Sequence, residues 1–241
     1  DHTSAAIVVV ETETMAVRAY FGSVDINDAR RFGHVDMIHA LRSPGSTLKP
    51  FLYGLAMDAG LIHSESLLQD VPRRYGDYRP GNFSMGFSGP VSASSALALS
   101  LNLPAVQLLE AYGPKRFAAE LRNGGVPLSL PALAEPNLAL ILGGAGSRLE
   151  DVVSGYSALA RGGKSAALRL QPQDELRERR LLSPGSAWII RRILSGQARP
   201  DRDPKAELAQ RPALAWKTGT SYGFRDALAI GVGPRYLIGV W

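Results

Sequence analysis

The chain has 241 residues, 45% hydrophobic and 20% charged, which fits one large globular domain or two packed lobes and excludes a disordered or membrane-embedded chain. With no cysteine, disulfide scaffolds, thiolate zinc sites, iron–sulfur clusters and cysteine nucleophiles are excluded, while compartment is left open. The net charge of +5 comes from 27 Lys+Arg, mostly scattered Arg without zinc-finger spacing or an RNP-like aromatic string; no nucleic-acid partner is expected, and a solvated surface facing an acidic polymer or lipid is the better reading.

In chain order, Ala5–Val10 and Met15–Tyr20 read as two strands joined by a tight turn over Glu11–Thr14. Residues 70–91 are rich in Gly, Pro and aromatics and read as a long ordered loop, the kind that often carries function. Pro104–Tyr112 and Pro114–Arg122 read as helices, each stopped by glycine. Ser147-Arg-Leu-Glu150 matches a capping box and predicts a helix running to Arg161, before Gly162-Gly163. Ser186 is the expected cap of a helix over Ala187–Leu194. Residues 213–217, 226–232 and 236–241 read as three more strands.

Strands at both ends around a helical middle predict an α/β (α+β) fold. Its antiparallel sheet is drawn from 1–30 and 213–241, with a helical lobe over about 50–165. No segment holds the ~18–20 apolar residues that cross a bilayer. The start at Asp1 and the stop within Tyr236–Trp241 are expected to be cuts from a longer chain.

Several catalytic signatures are missing: there is no Gly-x-Ser-x-Gly elbow, no zinc-helix spacing among the His, and no complete phosphate loop. What remains is a serine–lysine set, Ser46-Thr-Leu-Lys49, Ser100-Leu-Asn102 and Lys217-Thr-Gly219, each occurring once. With five Lys in the chain, chance yields the first two about 0.4 times each and the third about 0.01 times; jointly about 0.002, and lower for the order.

Residues three apart share a helical face, so Lys49 is expected one turn from Ser46 with its amine reaching the hydroxyl. Ser43-Pro44-Gly45 places Ser46 at a positive helix start, and Pro50 either marks that start or kinks the helix. Lys49 can act as base for the serine if burial and a second cation, Lys217, lower its pKa. Ser100 is expected to relay protons, and Asn102 to bind a substrate amide or orient Lys49. On a sheet-edge strand, Thr218, Gly219, Thr220 and Ser221 are expected to bind substrate: the Thr218 and Thr220 hydroxyls suit a carboxylate, and the Thr220 and Ser46 backbone N–H groups make an oxyanion hole. No metal or cofactor is expected. Singly, Ser46 reads more readily as a cap, Ser100 and Asn102 as a helix end, and Lys217 as a solvated lysine; together the catalytic reading wins.

These motifs, with Gly45-Ser-Thr-Leu-Lys-Pro-Phe51, Ser100-Leu-Asn-Leu-Pro-Ala-Val106 and Lys217-Thr-Gly-Thr-Ser-Tyr-Gly-Phe-Arg-Asp226, resemble the transpeptidase domain of class A penicillin-binding proteins over nearly the whole chain. The resemblance implies a β-lactamase/transpeptidase-like fold, with a five-stranded antiparallel sheet flanked by helices beside an all-helical lobe. It implies a serine D,D-transpeptidase that attacks peptidoglycan stem peptides ending in D-Ala-D-Ala through Ser46, is acylated by β-lactam antibiotics, and uses no cofactor. It also implies an upstream glycosyltransferase domain and membrane anchor, and a place on the periplasmic face of the bacterial cytoplasmic membrane. The alternatives are a serine β-lactamase or D,D-carboxypeptidase, in which water takes the acyl group, and a non-catalytic sensor or scaffold that recognises penicillin or peptide. Against the β-lactamase stands the lack of a sequence-evident extra carboxylate: Glu150 reads as a helix cap and Glu110 lies on a separate helix.

Overall fold

The structure, a computed structural model, describes residues 4–76, 79–82, 86–197, 214–221, 223 and 225–241. Asp77, Tyr78, Phe83, Tyr222, Phe224 and the stretch 198–213, on which parts of the sequence reading fall, lie outside the described residues.

Strands β1 (Ile7–Glu11) and β2 (Val17–Phe21) pair antiparallel near the expected positions. A 3-10 turn over Gly45–Leu48 runs directly into α1 (Lys49–Asp58). Then come β3 (Leu67–Asp70) and β4 (Gly89–Ser92), a two-stranded ladder at the feet of the long loop, which places some sheet inside the helical lobe. Helices α2 (Ala93–Ala98), α3 (Asn102–Tyr112) and α4 (Pro114–Asn123) follow. After α5 (Leu149–Tyr156), β5 (Lys164–Ala166) and β6 (Glu178–Arg180) form a second small ladder, and α6 (Pro184–Ser195) leads back toward the sheet.

Strands β7 (Ala215–Thr220), β8 (Ala227–Val232) and β9 (Tyr236–Val240) complete a five-stranded antiparallel sheet in the order β2-β1-β9-β8-β7. The two chain ends meet in its middle, where β1 pairs with β9, so β7 becomes an edge. Alternation sets the faces: Val8 and Val10 of β1 and Ile230 and Val232 of β8 are fully buried. Each such side chain contributes ~1.5–3 kcal/mol of transfer free energy. Helix α5 lies across β9 so closely that a Cβ on Gly239 would sit 2.5 Å from Val153 Cγ2.

Helix α1 is the centre of the molecule. Every residue from Lys49 to Ala56 is buried, and it packs against α2, α3, α4 and α6, as a helix that is apolar all round must. Its one charged side chain inside this span, Lys49, is therefore carried into the interior.

Two caps differ from expectation. Ser147 does not cap α5: its backbone exchanges hydrogen bonds with Arg42 at 2.9 and 3.0 Å, and the cap moves one residue on, to Arg148, with the helix starting at Leu149. Glu150 correspondingly turns to His39 Nδ1 at 2.8 Å instead of closing a box, and α5 gives way to a 3-10 turn over Ser157–Leu159 before Arg161. For α6 the cap is Ser183, whose hydroxyl accepts from the Ser186 N–H at 3.1 Å, and Pro184 takes the first helical position.

Candidate active site

The turn that carries Ser46 is shaped by the glycine before it. Gly45 has φ +52°, a left-handed conformation that disfavours side chains, and a Cβ there would stand 2.7 Å from the backbone N and O of Thr220. Gly219 meets the same turn from the strand side, where a Cβ would fall 2.3 Å from Pro44 O and 2.8 Å from Thr47 Cγ2. Two glycines thus let the start of α1 press against edge strand β7, backbone on backbone. Gly143 (φ +96°) braces the turn from behind, and its carbonyl accepts from Ser43 Oγ at 3.0 Å. Tyr156 donates its buried hydroxyl to Thr47 O at 2.8 Å.

Ser46 stands on this turn, half-buried, and Lys49 follows one 3-10 turn later, where residues three apart eclipse. Pro50, second in α1, marks the start of the regular helix. The Lys49 amine is not bonded to Ser46 Oγ as expected. It donates to Ser100 O (2.7 Å), Leu101 O (3.0 Å) and Asn102 Oδ1 (2.7 Å), with Ser100 Oγ at 3.5 Å. The chain between α2 and α3 gathers these acceptors because Ser100 adopts φ +57°, a turn that aims its carbonyl and hydroxyl inward.

Lys217 enters from β7, whose alternation buries Ala215, Lys217 and Gly219 and exposes Thr218 and Thr220. Its amine donates to Ser100 Oγ at 2.7 Å and to Thr218 O at 2.9 Å. One serine hydroxyl thus stands between two lysine amines, of residues 0% and 2% exposed. Burial lowers both pKa values: Lys217 falls to about 8, and Lys49, also facing the Lys217 charge, falls well below the usual lysine range.

Ser46, Ser100, Asn102, Thr218 and Thr220, with Leu99 and Leu142, line a cleft of about 290 Å³. Of the expected set, Lys49 and Lys217 lie buried beside it and Gly219 serves the close packing. Ser221 is 9% exposed, with its hydroxyl accepting from the Asp226 N–H at 2.8 Å, so it closes the β7–β8 connection. Among the described residues no carboxylate lines the cleft; Glu110 faces Arg73 at 3.2 Å and Glu150 faces His39. Nor do three His, Asp or Glu side chains there gather as metal ligands.

Motif spacing does not reveal the partners of Asn102. Its Nδ2 donates to Gly81 O at 2.7 Å, and its backbone N–H to Asn82 Oδ1 at 2.9 Å. Both acceptors belong to the long loop after β3, and the one available signal was the Gly- and Pro-rich composition of that loop.

The family model described as "Penicillin binding protein transpeptidase domain" matches residues 5–127. Penicillin-binding protein 1C of Escherichia coli (strain K12) is 65% identical over 239 residues, covering 99% of this chain and 31% of that protein. Penicillin-binding protein 1A of Neisseria gonorrhoeae is 27% identical over 260 residues, covering 98% and 32%. This chain therefore spans about a third of the length of the curated relatives it matches. Among solved structures, PonA1 of Mycobacterium tuberculosis in complex with penicillin V has the same fold, with a TM-score of 0.78 at 22% identity over 98% of this chain and 68% of that one.

Proposed function

This chain belongs to the transpeptidase family of penicillin-binding proteins, and from that premise we propose that it is a serine D,D-transpeptidase acting through Ser46. The observation that carries the proposal is the Ser100 hydroxyl held between two buried lysines on the flank of the cleft that contains Ser46. Ser46 Oγ attacks the carbonyl of the penultimate D-alanine of a stem peptide, and neutral Lys49 takes the proton. The Ser46 and Thr220 N–H groups face the developing oxyanion; removing one such donor typically costs ~10²–10³ in rate. The proton passes by way of Ser100 and Lys217 to the amine of the departing terminal D-alanine. An amine of a second stem peptide then attacks the acyl-enzyme and closes the cross-link. A β-lactam enters by the same step, but its leaving nitrogen stays tethered, so the adduct persists.

Thr218 and Thr220, exposed on β7, suit the substrate carboxylate, with the Lys217 charge behind them. Ser221 contributes by fixing the end of that strand. The lack of a cleft carboxylate among the described residues favours an amine over an activated water as acyl acceptor. We further propose that the chain is one transpeptidase domain, its sheet drawn from 1–30 and 213–241 and its helical lobe over about 50–165. In the whole protein it would follow a glycosyltransferase domain and a membrane anchor and work at the periplasmic face; no helix of the described residues is long and apolar enough to cross a membrane.

Incubation with a stem-peptide mimic ending in D-Ala-D-Ala and an excess of a D-amino acid tests this by mass spectrometry. The expected result is D-alanine release with transfer of the peptide onto the added amine, and neither product from Ser46→Ala. Release without transfer would make the domain a carboxypeptidase, and no release would contradict the reading.

A further inference from the structure

Lys49 receives its amide acceptor from Asn102, and Asn102 is held by a chain of polar groups that ends at a carboxylate. Asp70, the last residue of β3, is 0% exposed and accepts from Ser88 N–H at 2.8 Å and from Asn82 Nδ2 at 2.7 Å. Asn82 also donates to Gly86 O at 3.2 Å, so its Oδ1 is left to accept the Asn102 N–H. That N–H is one of the free donors at the start of α3, where the cap residue Leu101 offers no side-chain acceptor. The neighbouring Gly81 carbonyl takes Asn102 Nδ2, which leaves Asn102 Oδ1 for the Lys49 amine.

An amide has one donor end and one acceptor end, whereas a carboxylate only accepts. The direction of the Asn82 bonds is therefore set at Asp70, and that of the Asn102 side chain at the Gly81 carbonyl on the same loop. We propose that Asp70 and Asn82 are positioning residues for Lys49: they clamp the loop at 81–82 over Asn102 so that its oxygen, and not its nitrogen, faces the lysine amine. The inference rests on the proposed role of Lys49 as base. Neither hydrogen bond of Asp70 goes to a residue of the cleft, and it acts through Asn82.

The polarity argument makes a specific swap informative. In Asp70→Asn the new amide meets Asn82 donor against donor, or turns Asn82 over and sets its nitrogen against the Asn102 N–H. In Asn82→Asp a half-buried carboxylate faces the buried one of Asp70. In the double variant Asp70→Asn/Asn82→Asp the residue at 70 accepts from Ser88 and donates to position 82, whose second oxygen takes the Asn102 N–H, so the row from 70 to 102 is restored and only the longer bond to Gly86 O is lost.

Time-resolved labelling of the chain with a fluorescent penicillin, analysed for the acylation rate constant and for the dissociation constant of the preceding complex, tests the proposal. Each single variant should lower the rate constant about tenfold or more with the dissociation constant unchanged, since misplacing a catalytic group costs rate more than binding. The double variant should return to within about threefold of the starting rate. Should the single variants fail to melt cooperatively, Asn82→Ala, at a half-buried loop position, replaces them and should show the same rate loss. Folded variants with unchanged rate, a loss confined to binding, or a double variant as slow as the singles would overturn the inference. If the starting chain takes no label, the function itself is overturned and this inference with it; if it is labelled while the variants are indifferent, this inference alone falls.

Discussion

Lys49 and Lys217 are costly to bury, because an ammonium loses its hydration and regains it only through well-placed acceptors. Lys49 has three short acceptors, matching the three donors of its charged form, yet burial and the Lys217 charge press it toward neutrality. Neutralising it frees a lone pair for the proton of Ser46. The acylation rate should accordingly rise with pH as Lys49 deprotonates, and fall above about pH 8 as Lys217 loses the charge that faces the substrate carboxylate. A guanidinium stays charged throughout this range, so in Lys217→Arg the fall near pH 8 should be absent even if the plateau is lower. A pH–rate profile of penicillin acylation checks this, and an unchanged alkaline limb would assign that limb to another group.

At the scale of elements, α5 shows burial overriding a favourable helix end. Asp151 lies in the first turn, where the helix dipole favours negative charge, but burial, with Glu150 beside it, raises its pKa from 3.8 to about 6. The folded chain thus binds an extra proton between those values, so this group lowers stability as pH rises through that window and imposes a constant cost above it. Asp151→Asn should melt higher than the starting chain at pH 7, by on the order of 1 kcal/mol, and lose that advantage near pH 4; thermal melts at the two pH values decide it. The same helix shows where local pattern misleads. Ser147 and Glu150 have the spacing of a capping box, but pairing of Ser147 with Arg42, 105 positions earlier in the chain, claims the backbone that the box needed. The strands of the five-stranded sheet and α3, α4 and α6 were legible to within a few residues because alternation, proline and glycine are local signals. The two small ladders, β3 with β4 and β5 with β6, have three or four residues a strand and too little alternation to stand out.

For the whole molecule, the sheet built from both chain ends makes β7 an edge, and that edge, the start of α1 and the turn between α2 and α3 converge on one cleft. The three motifs were legible because each has fixed short spacing, so chance could be set against them. Asp70 and Asn82 have no such spacing; they reach Asn102 only once the loop after β3 has folded back, which no pattern in the chain announces. The account as a whole stands on Ser46 as the residue that becomes covalently bound. Incubating the chain with a penicillin and measuring its intact mass tests this most directly. One adduct per chain, located on the peptide that contains Ser46 and absent from Ser46→Ala, is the predicted result; no adduct, or an equal adduct on the Ser46→Ala variant, would contradict it.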